Sequence, residues 1–168
     1  MDINELRAIQ APLKQRYKEH PATALVSSRA EGLLEGDGID CSVFTDLGTT
    51  IAGLHPSTGG DGSKACSADM LLQALVACAG VTMKAVAKAM RVPLNRVKVI
   101  ADGTWDARGT LGVDRTAPVG LTAVSLTFEI DSSADDEKLE KLVDLTERYC
   151  VIFQTLAHPP LLRTHLKR

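Results

Sequence analysis

Hydrophobic residues recur every three or four positions in three segments, and this spacing predicts three helices. The segments are residues 3–19, 67–91 and 134–149. In the first, Pro12 predicts a kink or break near Ala11, because proline removes a helical hydrogen bond. Ser67 and Ser133 are the candidate N-caps of the other two.

Apolar and polar residues alternate in other segments, which predicts strands. These segments are residues 22–31, 38–46, 96–105 and 119–130, with an edge strand at 161–166. The glycines between 31 and 38 favour a hairpin, and residues 47–66 indicate a long flexible connection or one wall of a site. Because the strands come in consecutive pairs, we expect an α+β fold with antiparallel sheet.

The segment 67–91 is apolar on nearly all sides. Between Met70 and Val81 its polar side chains are Gln73 and Cys78, and many of the other residues are alanine or glycine. A helix of this kind is buried on most faces, and small residues let other backbones approach. We therefore expect a central helix packed against further helices, of the same or of a second subunit.

Composition fits one globular domain with its own core, since 45% of the 168 residues are hydrophobic and 24% are charged. The net charge of −2 argues against nucleic acid as a partner. Apolar runs fall short of the roughly 20 residues that span a bilayer, and the acidic N-terminus lacks the features of a signal peptide. We expect a cytoplasmic protein without a membrane partner.

Four cysteines, Cys41, Cys66, Cys78 and Cys150, stand outside any C-x-x-C spacing. Free thiols are the default in a reducing compartment, and each cysteine can be a small buried hydrophobe, as the strand alternation suggests for Cys41. Cys66 precedes a helix, where a thiolate is favoured. It lies 12 residues from Cys78, about 18 Å along a helix, which is too far for direct bonding.

Cys78 and Cys150 are the candidates for thiol chemistry. Cys78 lies among small residues, so a substrate or another thiol can approach it. Cys150 ends the helix 134–149, and the negative end of a helix disfavours a thiolate. Cys150 therefore suits a resolving thiol better than the first attacker.

Motifs for other chemistry are missing from the sequence. His55, His158 and His165 are scattered, so we expect no metal site. The stretch 59–63 is glycine-rich but matches neither a phosphate-binding loop nor a dinucleotide fingerprint, so we expect no cofactor. No serine elbow supports a hydrolase.

Three stretches together resemble the OsmC/Ohr family of osmotically induced and organic hydroperoxide resistance proteins. They are Cys66–Thr82, Ala117–Leu121 and Leu145–Val151, each with the residue types that the family has around its central helix, a strand entry and its second cysteine. The resemblance covers about residues 22–167. We therefore expect an N-terminal helical extension over 1–21 and an OsmC-like domain over 22–168.

The resemblance implies antiparallel sheets around two central helices in an intertwined homodimer, with active sites at the interface. It implies that Cys78 attacks an organic hydroperoxide and that Cys150 resolves the resulting sulfenic acid to a disulfide. Arg29 matches the arginine that holds the thiolate. A dithiol then reduces the disulfide, and lipoylated proteins serve some relatives in this role.

Two departures from the family pattern leave alternatives open. Ala68 stands where relatives carry a glutamate paired with the arginine. Asp69, the nearest acid, is the candidate to replace that glutamate, although a shift of one position on a helix turns the side chain by about 100°. The segment after Cys150 also lacks a proline common in relatives. A non-enzymatic OsmC-like protein that binds an apolar ligand or senses redox state is the main alternative, and a pure interaction protein is a third.

Overall fold

The computed structural model describes residues 2–45 and 47–168. The first residue of the predicted N-terminal extension, Met1, and the last residue of the predicted strand 38–46, Asp46, lie outside the described residues. Contacts divide the chain into two units, Met1–Ala52 and Gly53–Arg168. The expected boundary after residue 21 stays a prediction.

The first unit contains one long helix followed by short strands. Helix α1 spans Ile3–Glu19, and Asp2 caps it by accepting hydrogen bonds from the N–H groups of Asn4 and Glu5. A 3₁₀ turn, Pro21–Ala24, follows. Strands β1 (Glu31–Leu33) and β2 (Asp40–Thr45) pair antiparallel, and β3 (Gly48–Gly53) is next to β2.

Several predictions in this unit were wrong. The predicted break near Ala11 is absent: helix α1 continues through Pro12, where it is exposed and water can reach the carbonyl that proline leaves unpaired. A kink at this point stays a prediction. The strand predicted at 22–31 was wrong except at Glu31, the first residue of β1. A 3₁₀ turn and Thr23, whose hydroxyl donates to the His20 carbonyl, satisfy the start of the segment locally. The supposed connection 47–66 instead contains β3, a 3₁₀ turn at Pro56–Thr58 and β4 (Ala65–Cys66).

The second unit is built on one helix and a long hairpin. Helix α2 spans Ser67–Met90, with Cys66 rather than the predicted Ser67 as its N-cap. Strand β5 (Arg96–Trp105) pairs antiparallel with β6 (Leu121–Asp131), from Arg96 opposite Asp131 to Trp105 opposite Leu121. A short helix α3, Ala107–Thr110, lies in the connection between them.

Two further helices complete the second unit. Helix α4 spans Asp136–Tyr149 and is capped by Asp135 rather than by the predicted Ser133; the Asp135 side chain accepts a hydrogen bond from the Lys138 N–H. Helix α5 spans Val151–Ala157. The strand predicted at 161–166 is absent from the described residues, where the chain is irregular after two consecutive prolines that lack N–H donors.

The core lies on one face of α2. Its buried residues Leu75, Ala79, Met83 and Ala87 recur every fourth position and pack towards β5, α4 and α5. The expected α+β architecture is confirmed. Close packing of a small-residue helix against other helices is found as predicted, but α2 keeps exposed faces that the sequence did not predict.

By length and composition, one helix among the described residues, α2, could cross a membrane. The expectation that no segment would qualify was therefore wrong. Core helices of soluble proteins pass the same test, and α2 carries the buried stripe of this unit.

Candidate functional site

The site is built around Cys78, in the middle of α2. The chain places it next to the buried stripe, within the cluster formed by Leu75, Ala79 and Cys150. Its side chain is half-buried, and all four cysteines of the chain are free thiols. The fold thus brings together two cysteines that are 72 positions apart.

Cys150 occupies the junction of two helices. It is the C-cap of α4, where its N–H donates to the Thr146 carbonyl at 2.9 Å, and also the N-cap of α5. Its Sγ accepts a hydrogen bond from the Phe153 N–H at 3.5 Å. The residue is 0% exposed. These contacts fix the sulfur beside the first turn of α5.

The surroundings of Cys78 favour its thiolate. Burial is the largest single influence and raises the pKa of Cys78, but hydrogen bonds together outweigh it and the pKa is lowered. The donors are the Ile152 N–H, the Cys150 thiol, the Val151 N–H and the Thr82 hydroxyl. Donors aimed at a sulfur stabilise its charged form.

The surroundings of Cys150 favour the thiol. Burial raises its pKa most, and the Phe153 N–H opposes that effect. The hydrogen bond to Cys78 and the charge of the Cys78 thiolate raise the pKa of Cys150 further. Cys150 therefore keeps its proton while it donates to Cys78.

This asymmetry defines what the pair can do. A thiolate is the nucleophilic form of cysteine, and a neighbouring protonated thiol can condense with an oxidised sulfur. From the end of the helix 134–149, the sequence predicted that Cys150 is the less suitable of the two as the attacking thiol. The structure adds burial and the start of α5 as the physical causes.

An apolar groove of about 540 Å³ lies in the second unit, and its lining includes neither Cys78 nor Cys150. Leu75, Leu126 and Phe153 line it and also belong to the cluster around the cysteines. The remaining lining residues are mostly apolar: Leu71, Leu121, Thr122, Ala123, Val124, Leu156 and Ala157. A groove of this size and character suits a small apolar molecule.

The other predicted site residues lie apart from this arrangement or in the other unit. Asp69 is exposed in the first turn of α2, and Ala68 beside it is half-buried. Arg29 belongs to the first unit, where its highly exposed guanidinium pairs with Glu31. Cys66 is the N-cap of α2, and Cys41 is half-buried in β2.

Sequence reasoning missed three donors to the Cys78 sulfur. The Val151 and Ile152 N–H groups come from α5, which the sequence presented only as a short apolar patch. Thr82 gave a usable signal, since it stands four positions after Cys78 on a predicted helix. Within the described residues, no group of three His, Cys, Asp or Glu residues could hold a metal ion.

Fold and site together define a class: an α+β protein with a cysteine on its central helix and a second cysteine at a junction between two later helices. A family profile described as OsmC-like protein matches residues 60–165. The chain therefore belongs to the OsmC family. No curated protein matches it.

Solved structures of this family share the fold. An OsmC-like protein from Mycoplasma pneumoniae has 19% identity and a TM-score of 0.67, covering 80% of this chain and 89% of that one. An organic hydroperoxide resistance protein OsmC from Legionella pneumophila has 19% identity and a TM-score of 0.63, over 80% and 92%. OhrB of Bacillus subtilis, an organic hydroperoxide resistance protein, has 16% identity and a TM-score of 0.53, over 81% and 94%.

Proposed function

We propose that this protein is a thiol peroxidase that reduces organic hydroperoxides. The observation that carries the proposal is the hydrogen-bonded pair in which Cys78 favours the thiolate and Cys150 the thiol. Family membership and the names of the structural relatives support a role in redox or peroxide resistance.

The reaction follows from the two protonation states. The Cys78 thiolate attacks the terminal oxygen of R–O–OH and breaks the O–O bond, which gives Cys78–SOH and an alkoxide that takes up a proton to become R–OH. The Cys150 thiol then attacks the Cys78 sulfur, forming the disulfide and releasing water. A dithiol reduces this disulfide in two exchange steps and is itself oxidised to a disulfide.

The substrate class follows from the apolar groove that shares Leu75, Leu126 and Phe153 with the cysteine cluster. Its lining is apolar, so burial of a hydrocarbon group would favour small organic hydroperoxides over hydrogen peroxide. A lipoyl-type dithiol is the reductant that the family resemblance suggests.

Arg29 and Asp69 keep the roles that the sequence suggested, as part of this proposal. The pairing of Arg29 with Glu31 is exposed, so it is weak and leaves the guanidinium available to a thiolate and a peroxide. Asp69 would replace the missing glutamate in orienting Arg29.

We also infer a homodimer, because the single chain leaves much apolar surface uncovered. None of the described residues of the first unit is buried, and Leu25 and Val26 are 86% and 82% exposed. Val81, on the core helix α2, is 73% exposed. Such surface is typical of an interface. Light scattering coupled to gel filtration is expected to give twice the 17.9 kDa of one chain; a monomer at micromolar concentration would contradict the inference.

The direct test of the proposed activity is hydroperoxide consumption. With dithiothreitol or dihydrolipoamide in excess, the protein is expected to consume cumene hydroperoxide catalytically, and to use hydrogen peroxide less well. Both substrates are followed with the same peroxide stain against a no-protein blank. Absence of multiple turnovers with either dithiol would reject the enzyme.

One observation favours a second function on the same fold. Ala68 cannot supply the carboxylate that the family pattern has there, which favours a non-enzymatic protein that binds an apolar ligand in the groove or senses redox state. An inactive protein that binds cumyl alcohol, or whose cysteines oxidise without turnover, would support this alternative.

A further inference from the structure

A hydroxyl one helical turn from Cys78 has no part in the proposed reaction so far. Thr82 follows Cys78 by four positions on α2, and residues with this spacing lie on the same face of a helix. Thr82 is half-buried, and its side chain is hydrogen-bonded to the Cys78 side chain. The hydroxyl therefore belongs to the same cluster of groups as the two sulfurs.

Other helical threonines of the chain show a different arrangement. Thr146 donates to the Leu142 carbonyl at 2.7 Å, and Thr155 donates to the Val151 carbonyl at 2.8 Å. Bonding to the carbonyl four residues earlier is the usual local choice for threonine in a helix. For Thr82, the residue four positions earlier offers a further acceptor, the Cys78 sulfur, with which its side chain is hydrogen-bonded.

We propose that Thr82 is a positioning residue for Cys78, whose hydroxyl donates to the thiolate from α2 while the Val151 and Ile152 N–H groups donate from α5. This inference rests on the proposed peroxidase function and adds a residue to it. Donors from two helices hold the sulfur in one place, so the thiolate is both stabilised and fixed in direction.

The surroundings make this hydroxyl important. Apolar residues of β5, β6 and α5 pack around the cysteine cluster: Val99, Ala101, Leu126, Phe128, Ile152 and Phe153. Cys150, at the junction of α4 and α5, is the titratable group that faces Cys78. With apolar neighbours opposing the charge, each hydrogen bond to the sulfur has a large share in keeping it ionised.

The test measures the reactivity of Cys78 without peroxide. Thr82→Val removes the hydroxyl at nearly constant shape, Thr82→Ser restores a donor, and Thr155→Val is the matched control, since that hydroxyl bonds a carbonyl. The reduced proteins are labelled with iodoacetamide across a pH series, and peptide mass spectrometry gives the rate at Cys78. Thermal melting checks the fold, and Thr82→Ala replaces the valine variant if that chain is unfolded.

Loss of the donor raises the pKa of Cys78, so the labelling profile of Thr82→Val is expected to move to higher pH. Below the pKa, labelling should fall by less than the roughly tenfold that a full hydrogen bond to a charged group represents, because Thr82 contributes least of the four donors. At high pH the rates should converge, and Thr82→Ser and Thr155→Val should follow the wild type.

Coincident profiles for Thr82→Val and the wild type would overturn the proposal, as would a serine variant that behaves like valine. Labelling does not depend on turnover. An inactive protein whose profile still shifts would reject the peroxidase and support the positioning role of Thr82. An active protein without the shift would support the peroxidase and reject the positioning role.

Discussion

Replacing Cys78 by serine is expected to abolish catalytic hydroperoxide reduction, with a loss of roughly 10³-fold or more in turnover. The serine hydroxyl stays protonated at neutral pH, so the donors that favour a thiolate at this position have no anion to stabilise. Serine is also not oxidised to a counterpart of sulfenic acid. Cumene hydroperoxide consumption with dihydrolipoamide measures the loss.

Cys66→Ser is the matched control for this change. Cys66 is the N-cap of α2, a position that serine fills well, and it lies a helix segment away from Cys78. We expect turnover within about twofold of the wild type, the range of ordinary surface changes. Equal losses of turnover in Cys66→Ser and Cys78→Ser would contradict the assignment of Cys78 as the attacking thiol.

Replacing Cys150 by serine is expected to separate the two halves of the reaction. The serine hydroxyl can still donate to the Cys78 thiolate, so the first equivalent of peroxide should be consumed at nearly the wild-type rate. The disulfide cannot form, so sulfenic acid should persist at Cys78 and steady-state turnover should fall roughly tenfold or more. Dimedone labelling followed by peptide mass spectrometry detects the sulfenic acid.

Cys150→Ala provides the comparison. Alanine removes both the resolving sulfur and the donor to Cys78, so the pKa of Cys78 should rise and the first equivalent should also react more slowly at neutral pH. The double variant Cys78→Ser/Cys150→Ser should be no worse than Cys78→Ser, because residues that act as a unit are not additive. Full turnover in Cys150→Ser, without a dimedone adduct, would mean that Cys150 does not resolve the sulfenic acid.

The fold could be predicted where the local pattern was strong. The alternation of Val97, Val99 and Ala101 gave the bounds of β5 as the structure has them, and the apolar run gave α2 to within a residue. Prediction failed where the structure of a segment depends on its contacts with other segments. Residues 161–166 have strand-like apolar positions but no partner strand among the described residues. The segment 22–31 begins with a 3₁₀ turn instead of a strand.

The site was predicted mainly through resemblance, for a physical reason. Nothing in the local pattern around Cys78 or Cys150 indicates that the 71 residues between them fold back to join them, because that contact depends on how α2, α4 and α5 pack. The raised pKa of Cys150 agrees in direction with the prediction from the end of α4, but its largest cause is burial. The role of α5 was not, because a seven-residue helix leaves little periodicity to detect.

The most direct test of the two-thiol reaction is the product of a single oxidation. The reduced protein is treated with one equivalent of cumene hydroperoxide, free thiols are alkylated, and peptides are mapped without reduction. We expect a peptide pair linked through Cys78 and Cys150, with Cys41 and Cys66 alkylated. Consumed peroxide with Cys78 and Cys150 both alkylated, or a disulfide that joins other cysteines, would contradict the mechanism.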